Sequence, residues 1–247
     1  MNYENLRKII WIPPLILGFA LVLGLWIHGV HMASRGSDLI TVTGSAKKSV
    51  QADLAKWTAN FSRRADEGNL QSVLARVNAD TAAIKKFILS QGFDEASIRF
   101  IPVQTDPIYD YNNNFGKGSG YVSGYNVRQE VRVENKDISK VENLGRVASK
   151  LIDQDIVPEA SRTEFFYTKI ADLRPELFAE ATKDAKTRAA AIARGTGAKV
   201  GALRSAKTGV IQVLSPNTLD VSDYGAYDLS TKEKEVTATV SVSFELN

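Results

Sequence analysis

The 247-residue chain contains no cysteine, and its two histidines, His28 and His31, both lie at the N-terminal end. Everything from Met32 onward therefore lacks imidazole and thiol. That excludes a Ser-His-Asp triad, a Cys-His dyad and any zinc site built from His or Cys in the body of the protein. Carboxylates, lysines, tyrosines and hydroxyls remain, so an enzyme of this sequence would have to be a carboxylate-dependent hydrolase or something equally unusual. The missing cysteines are compatible with an oxidising compartment but do not establish one. Charge of one sign is also scarce: the formal net charge is +3 and no basic stripe occurs, which argues against nucleic acid as a partner.

What is present begins with a long apolar run. Residues 9–30 (IIWIPPLILGFALVLGLWIHGV) carry no formally charged side chain over 22 residues. As a helix at about 1.5 Å per residue this is enough to span a bilayer core of about 30 Å. Trp11 and Trp26 lie near its two ends, as interfacial aromatics do, and Pro13 and Pro14 fall near its start, where the first helical turn tolerates them. Arg7 and Lys8 precede it, so the positive-inside rule predicts a cytoplasmic segment 1–8, a transmembrane anchor 9–30 and a chain exported from about residue 31. A cleaved signal peptide is the competing reading. Its apolar region would exceed the usual length of about 7–15 residues, and His31 fits poorly upstream of a cut after Ala33.

Residues 31–38 read as a short linker, and 39–247 as one exported α+β domain. Strands are predicted at Leu39 to Val50, Leu54 to Arg64, Ile98 to Thr105, Tyr121 to Val133, Thr163 to Thr168, Val200 to Leu214 and Val236 to Leu246. The last is the clearest: Val236, Ala238, Val240, Val242, Phe244 and Leu246 alternate with Thr, Ser and Glu, the period of a strand with one buried face. Three helices intervene. The first runs from about Asn69 to Ser90 with Gly92 as its stop. The second runs from about Ile138 to Asp153 behind an Asp137 cap, and the third from about Arg174 to Arg194, with Asp172 as cap and Pro175 in its first turn. Adjacent strand pairs imply antiparallel hairpins rather than a doubly wound nucleotide fold.

Two long polar segments, 106–120 and 215–232, fit no predicted element, and loops of that length inside a domain are usually functional or disordered. Tyr109, Tyr111 and Phe115 lie in the first and Tyr224 and Tyr227 in the second. Aromatics on polar loops are enriched at interfaces, which makes these five the candidate contacts for another chain or a ligand; tucking back to anchor their own loop is the alternative. Gly116, Gly118 and Gly120 lack the strand-before, helix-after context of a phosphate cradle. Asp220, Asp223 and Asp228, with Asp106 and Asp110, lack the acid and glycine order of a calcium loop and read as solvated acids. No metal, cofactor or catalytic residue is expected.

In the third helix the run LFAEATKDAKTRAAAIARGTGAKVGAL resembles the signature of the SIMPL domain family, once catalogued as a domain of unknown function. Asp184, Ala185, Arg188 and Ala189 match its D-A-x-x-R-A core, and Gly197 and Gly201 the G-x-x-x-G that leads into the next strand. Gly44, Val50 and Asp53 are similar to the family's opening V-x-G-x-G…V-x-x-D pair, with Ala46 at the second glycine and Ala52 at the usual proline. The closing VTATVSVSFEL is similar to its final strand, so the resemblance spans about residues 39–247. It implies an exported bacterial protein without an accepted enzymatic reaction, whose relatives include a Brucella periplasmic immunogen that assembles into rings. It also implies links to the envelope and to oxidative stress, and supplies no catalytic residues to carry over. The expectation is a membrane-anchored periplasmic homo-oligomer with a possible envelope protein partner; a ligand- or partner-binding module using the two aromatic loops is the alternative.

Overall fold

A computed structural model describes residues 23–26, 39–110, 121–218 and 225–247. Its strands are β1 (Leu39–Gln51), β2 (Leu54–Ala65), β3 (Ile98–Phe100), β4 (Gln104–Asp110), β5 (Tyr121–Asn135), β6 (Glu159–Phe166), β7 (Val200–Leu214) and β8 (Glu233–Leu246). Its helices are α1 (Leu70–Ser90), α2 (Ile138–Val147) and α3 (Ile170–Gly195). This is the mixed α/β class expected, with antiparallel sheets and three substantial helices. Of the 9–30 run, residues 23–26 are helical and the rest lies outside the described residues. Among the described residues no helix is long and apolar enough to cross a membrane.

The chain divides into two units. The larger comprises Lys47–Leu177 and Val210–Ala238. Its sheet has the order β3-β5-β2-β6, and β4 also pairs with β5. β5 runs antiparallel to β2, with Trp57 opposite Val133 and Phe61 opposite Gln129. Alternation puts Ala55, Trp57, Ala59 and Phe61 of β2 on one face, where they join Ile84 and Ile88 of α1, and Val141 and Leu144 of α2, in one buried cluster. Gly145 lets α2 come close: a Cβ there would meet Thr163 Oγ1 at 2.9 Å and Trp57 Cδ1 at 3.2 Å. The indole N–H of Trp57 donates to Ser161 Oγ at 2.9 Å, which satisfies the one polar atom of that side chain.

The smaller unit gathers the described residues up to Ala46, Phe178–Gly209 and Thr239–Asn247. β1, β8 and β7 form a three-stranded sheet in that order. Thr41 and Ser243 hydroxyls meet at 2.8 Å across β1 and β8. At the far side, Lys199 and Asn247 exchange both backbone hydrogen bonds at 2.8 Å. Ala181, Ala185, Ala189 and Ala193, four residues apart, form a fully buried stripe on α3. The stripe allows contact at backbone range: a Cβ on Gly44 would fall on the Ala181 carbonyl oxygen and 2.8 Å from the Ala185 Cβ.

The structure corrects several expected boundaries. The strand expected over Ile98 to Thr105 is two, β3 and β4, broken around Pro102, which lacks the N–H a continuous ladder needs. β4 then runs to Asp110, so part of the first expected loop is strand: Tyr109 sits opposite Val122 of β5. α2 ends at Val147 and continues as a 3-10 turn over Ala148–Gln154. Its Asp137 cap is as expected, accepting from the Lys140 N–H at 3.0 Å. α3 begins at Ile170, which puts Asp172 in the first turn rather than at the cap and Pro175 inside the helix. Ile192, an apolar residue near the end of α3, is 54% exposed.

Candidate functional site

The second polar segment is built into the larger unit over its described part. Beyond Gly225 the chain runs beside β7: Val213 N–H donates to the Ala226 carbonyl at 2.8 Å and Asp228 N–H to the Val213 carbonyl at 2.7 Å. Phe165 N–H then donates to the Leu229 carbonyl at 2.9 Å, tying the same stretch to β6. Side chains reinforce both attachments. The Tyr227 hydroxyl accepts from Tyr167 N–H at 2.8 Å and donates to the Tyr167 carbonyl at 3.1 Å. Burial pushes that phenol up, as it does the Tyr167 phenol.

Lys234 completes the attachment. It occupies the first position of the alternating series Lys234, Val236, Ala238, Val240, so the pleat turns it inward and its side chain is fully buried. Its ammonium donates to the Asp228 carbonyl at 2.6 Å and lies 3.4 Å from Asp228 Oδ2. It also sits 5.7 Å from the centre of the Tyr227 ring, a cation–π distance. Burial lowers the Lys234 pKa, with Asp228 opposing. For Asp228, burial alone would raise the carboxyl, but hydrogen bonds from the hydroxyls and backbone N–H groups of Ser230 and Thr231 hold it well below the usual carboxylate range.

The stretch fixed in this way walls an open groove of about 720 Å³, within the ordinary range for small-molecule sites. Ala52, Ile138 and Phe165 supply apolar lining, and Glu142, Thr231 and Lys232 polar lining. Lys232 and Glu142 are ion-paired at 3.1 Å. Chemically this is a mixed surface on which Gln51, Glu142, Thr231, Lys232 and Glu233 already have partners within the protein.

Of the five aromatic candidates, Tyr109 and Tyr227 are among the described residues. Tyr109 is half-exposed on β4, and Tyr227 is fastened to its own domain through Tyr167. Tyr111, Phe115 and Tyr224 lie outside the described residues, as do Gly116, Gly118, Gly120, Asp220 and Asp223. Asp106 is ion-paired with Arg128 at 3.0 Å. Among the described residues no group of three or more His, Cys, Asp or Glu is placed to hold a metal. The tie between Lys234 and Asp228 was not singled out from sequence, although a lysine in phase with the buried valines of β8 was its signal.

The motif residues, in contrast, converge. Asp184 Oδ2 accepts from the Ser45 backbone N–H at 2.9 Å and from Arg188 Nε at 2.8 Å. Arg188 also reaches Ser45 Oγ at 3.4 Å. Asp53 accepts from Thr168 N–H at 2.8 Å and from Thr168 Oγ1 at 3.0 Å, two residues before α3 begins. Asp184, Arg188 and Asp53 thus each have a structural task in seating α3 or the chain that leads into it.

Two antiparallel sheets, with an alanine-striped helix seated on a strand glycine by an Asp–Arg pair, define the class of domain. A family model described as "SIMPL: Protein of unknown function (DUF541)" matches residues 40–244, and the chain belongs to that family. No curated protein matches it.

Proposed function

We propose that this is a non-enzymatic periplasmic protein, anchored in the inner membrane by residues 9–30, whose domain self-assembles into a higher-order oligomer with a protective role in the envelope. The observation that carries the assembly reading is the asymmetry of the three-stranded sheet. On β1 the Asp184 carboxylate occupies the Ser45 N–H, whereas β7 exposes nine consecutive residues, Ala202 to Val210, with Leu203 at 54% and Val210 at 43%. Long exposed edge strands are templates for pairing with another chain. The anchor reading is supported by the uncharged 22-residue run behind Arg7 and Lys8.

The test uses the full-length chain. It should remain with membranes through carbonate extraction, and after transfer to a mild detergent it should sediment as a discrete species larger than a monomer. A mature N-terminus near Ser34 would replace the anchor with a signal peptide, and a monomer would remove the assembly reading. A second reading, a ligand- or partner-binding module, is favoured by the 720 Å³ groove that Thr231 and Lys232 of segment 215–232 help to line. A monomeric protein would favour it.

A further inference from the structure

Each edge of the three-stranded sheet presents outward backbone groups. At Ser45 of β1 the N–H is taken by Asp184, which Arg188 holds in place. At Val213 of β7 both backbone groups are taken by the Ala226–Asp228 stretch. Between Ala202 and Val210, side chains on both faces of β7 are exposed. Natural edge strands are commonly guarded by proline, lysine or other charge. This stretch has no proline; of its two charges, Arg204 is ion-paired with Glu245 of β8, and Lys207 is a single lysine near its middle.

We propose that β7 is the self-association strand: two copies pair antiparallel through Ala202–Val210 about a twofold axis at Ala206. The proposal rests on the self-assembly reading and gives it an interface. In an antiparallel ladder, directly opposed residues must both point their backbone groups inward or both outward. Two copies of one strand can satisfy this only if the axis passes through a residue. Ala206 is the midpoint of the exposed stretch, so an axis there pairs every exposed residue with another exposed residue. Arg204 then faces Thr208, Ser205 faces Lys207, and no like charges are opposed. Leu203 faces Gly209, and Ala202 faces Val210. An axis at Arg204 or Lys207 would set that charge against its own copy, which destabilises a cross-strand pair. An axis at Ser205 would leave Gly209 and Val210 without exposed partners.

The absence of cysteine makes the register directly testable in the full-length protein in mild detergent. Under mild oxidation Ala206→Cys should form a disulfide-linked dimer, because the two copies would be directly opposed. Ala202→Cys alone should not, since its two copies would lie eight residue steps, about 26 Å, apart at about 3.3 Å per residue. Mixing Ala202→Cys with Val210→Cys protein should restore cross-linking between the two. Ala206→Asp should weaken association by about tenfold or more through like-charge contact, with an unchanged circular dichroism spectrum. If the wild type sediments as an oligomer yet Ala206→Cys fails to cross-link, or Ala202→Cys cross-links equally well, the β7 interface is wrong and self-assembly uses another surface. A monomeric wild type overturns both.

Discussion

The backbone N–H of Ser45 donates to the Asp184 carboxylate at 2.9 Å, so a side chain from α3 occupies a backbone donor of β1. The same oxygen accepts from Arg188 one helical turn on, at 2.8 Å. Helix seating and strand capping thus share one carboxylate. Asp184→Ala should leave the partly buried Ser45 N–H and the Arg188 guanidinium without this acceptor and cost about 1–2 kcal/mol. Urea unfolding should show a lower midpoint, and an unchanged midpoint would mean that water replaces the carboxylate freely.

Close approach at Gly44 makes a second expectation. Any side chain there meets backbone atoms of α3, which cannot rotate away. Gly44→Ala should force the helix off the strand and destabilise the domain. Ala185→Leu should overpack the same contact and cost about 1–3 kcal/mol. Ala190, only partly buried on the same helix, should accept leucine with less effect. Equal melting temperatures for the Ala185 and Ala190 variants would show that the stripe does not carry the packing.

Periodicity made the regular elements legible. β8 declared itself by strict alternation, and α1 by its apolar spacing and by Gly92, whose φ of +83 ends it as a glycine can. The Ala185 stripe and the motif aspartates were legible as residues, but their partners were not. Ser45 and Asp184 are 139 positions apart, and nothing local announces that one strand's N–H will meet that carboxylate. β4 was hidden because its Asp-Pro-Ile-Tyr-Asp sequence has weak strand propensity, and pairing with β5 overrides it. For Tyr227 the alternative of tucking back describes what it does, but its partner was not legible for the same reason: it is a backbone segment 60 residues away.

That attachment predicts a separation of stability from assembly. Tyr227→Phe keeps the ring but removes the hydroxyl that both accepts from and donates to Tyr167. Two neutral hydrogen bonds to a solvent-accessible backbone are worth about 0.5–1.5 kcal/mol each. The variant should therefore melt lower while sedimenting with the wild-type mass. A reduced mass at unchanged stability would instead place Tyr227 in contact with a neighbouring chain.

Asp228 and Lys234 give the domain a pH dependence of definite sign. Hydrogen bonds from Ser230 and Thr231 hold Asp228 below its ordinary value against the opposing effect of burial. The unfolded chain therefore binds a proton there first, and the stability Asp228 contributes is complete above the ordinary carboxylate value of about 4. It is lost progressively as pH falls below that value. Glu164 acts in the same direction: burial raises it, but Lys56 and Arg162 lower it further. Lys234 is lowered by burial, so the unfolded chain also holds its proton more tightly, and stability should rise as pH climbs toward the ordinary lysine value. Asp228→Asn removes the charge without removing the side chain's bulk. It should be less stable than wild type at neutral pH, and the gap in urea midpoint should narrow steadily below pH of about 4. A gap that stayed constant across that range would show that Asp228 contributes through hydrogen-bond geometry alone, and that its charge is not what fastens the segment to Lys234.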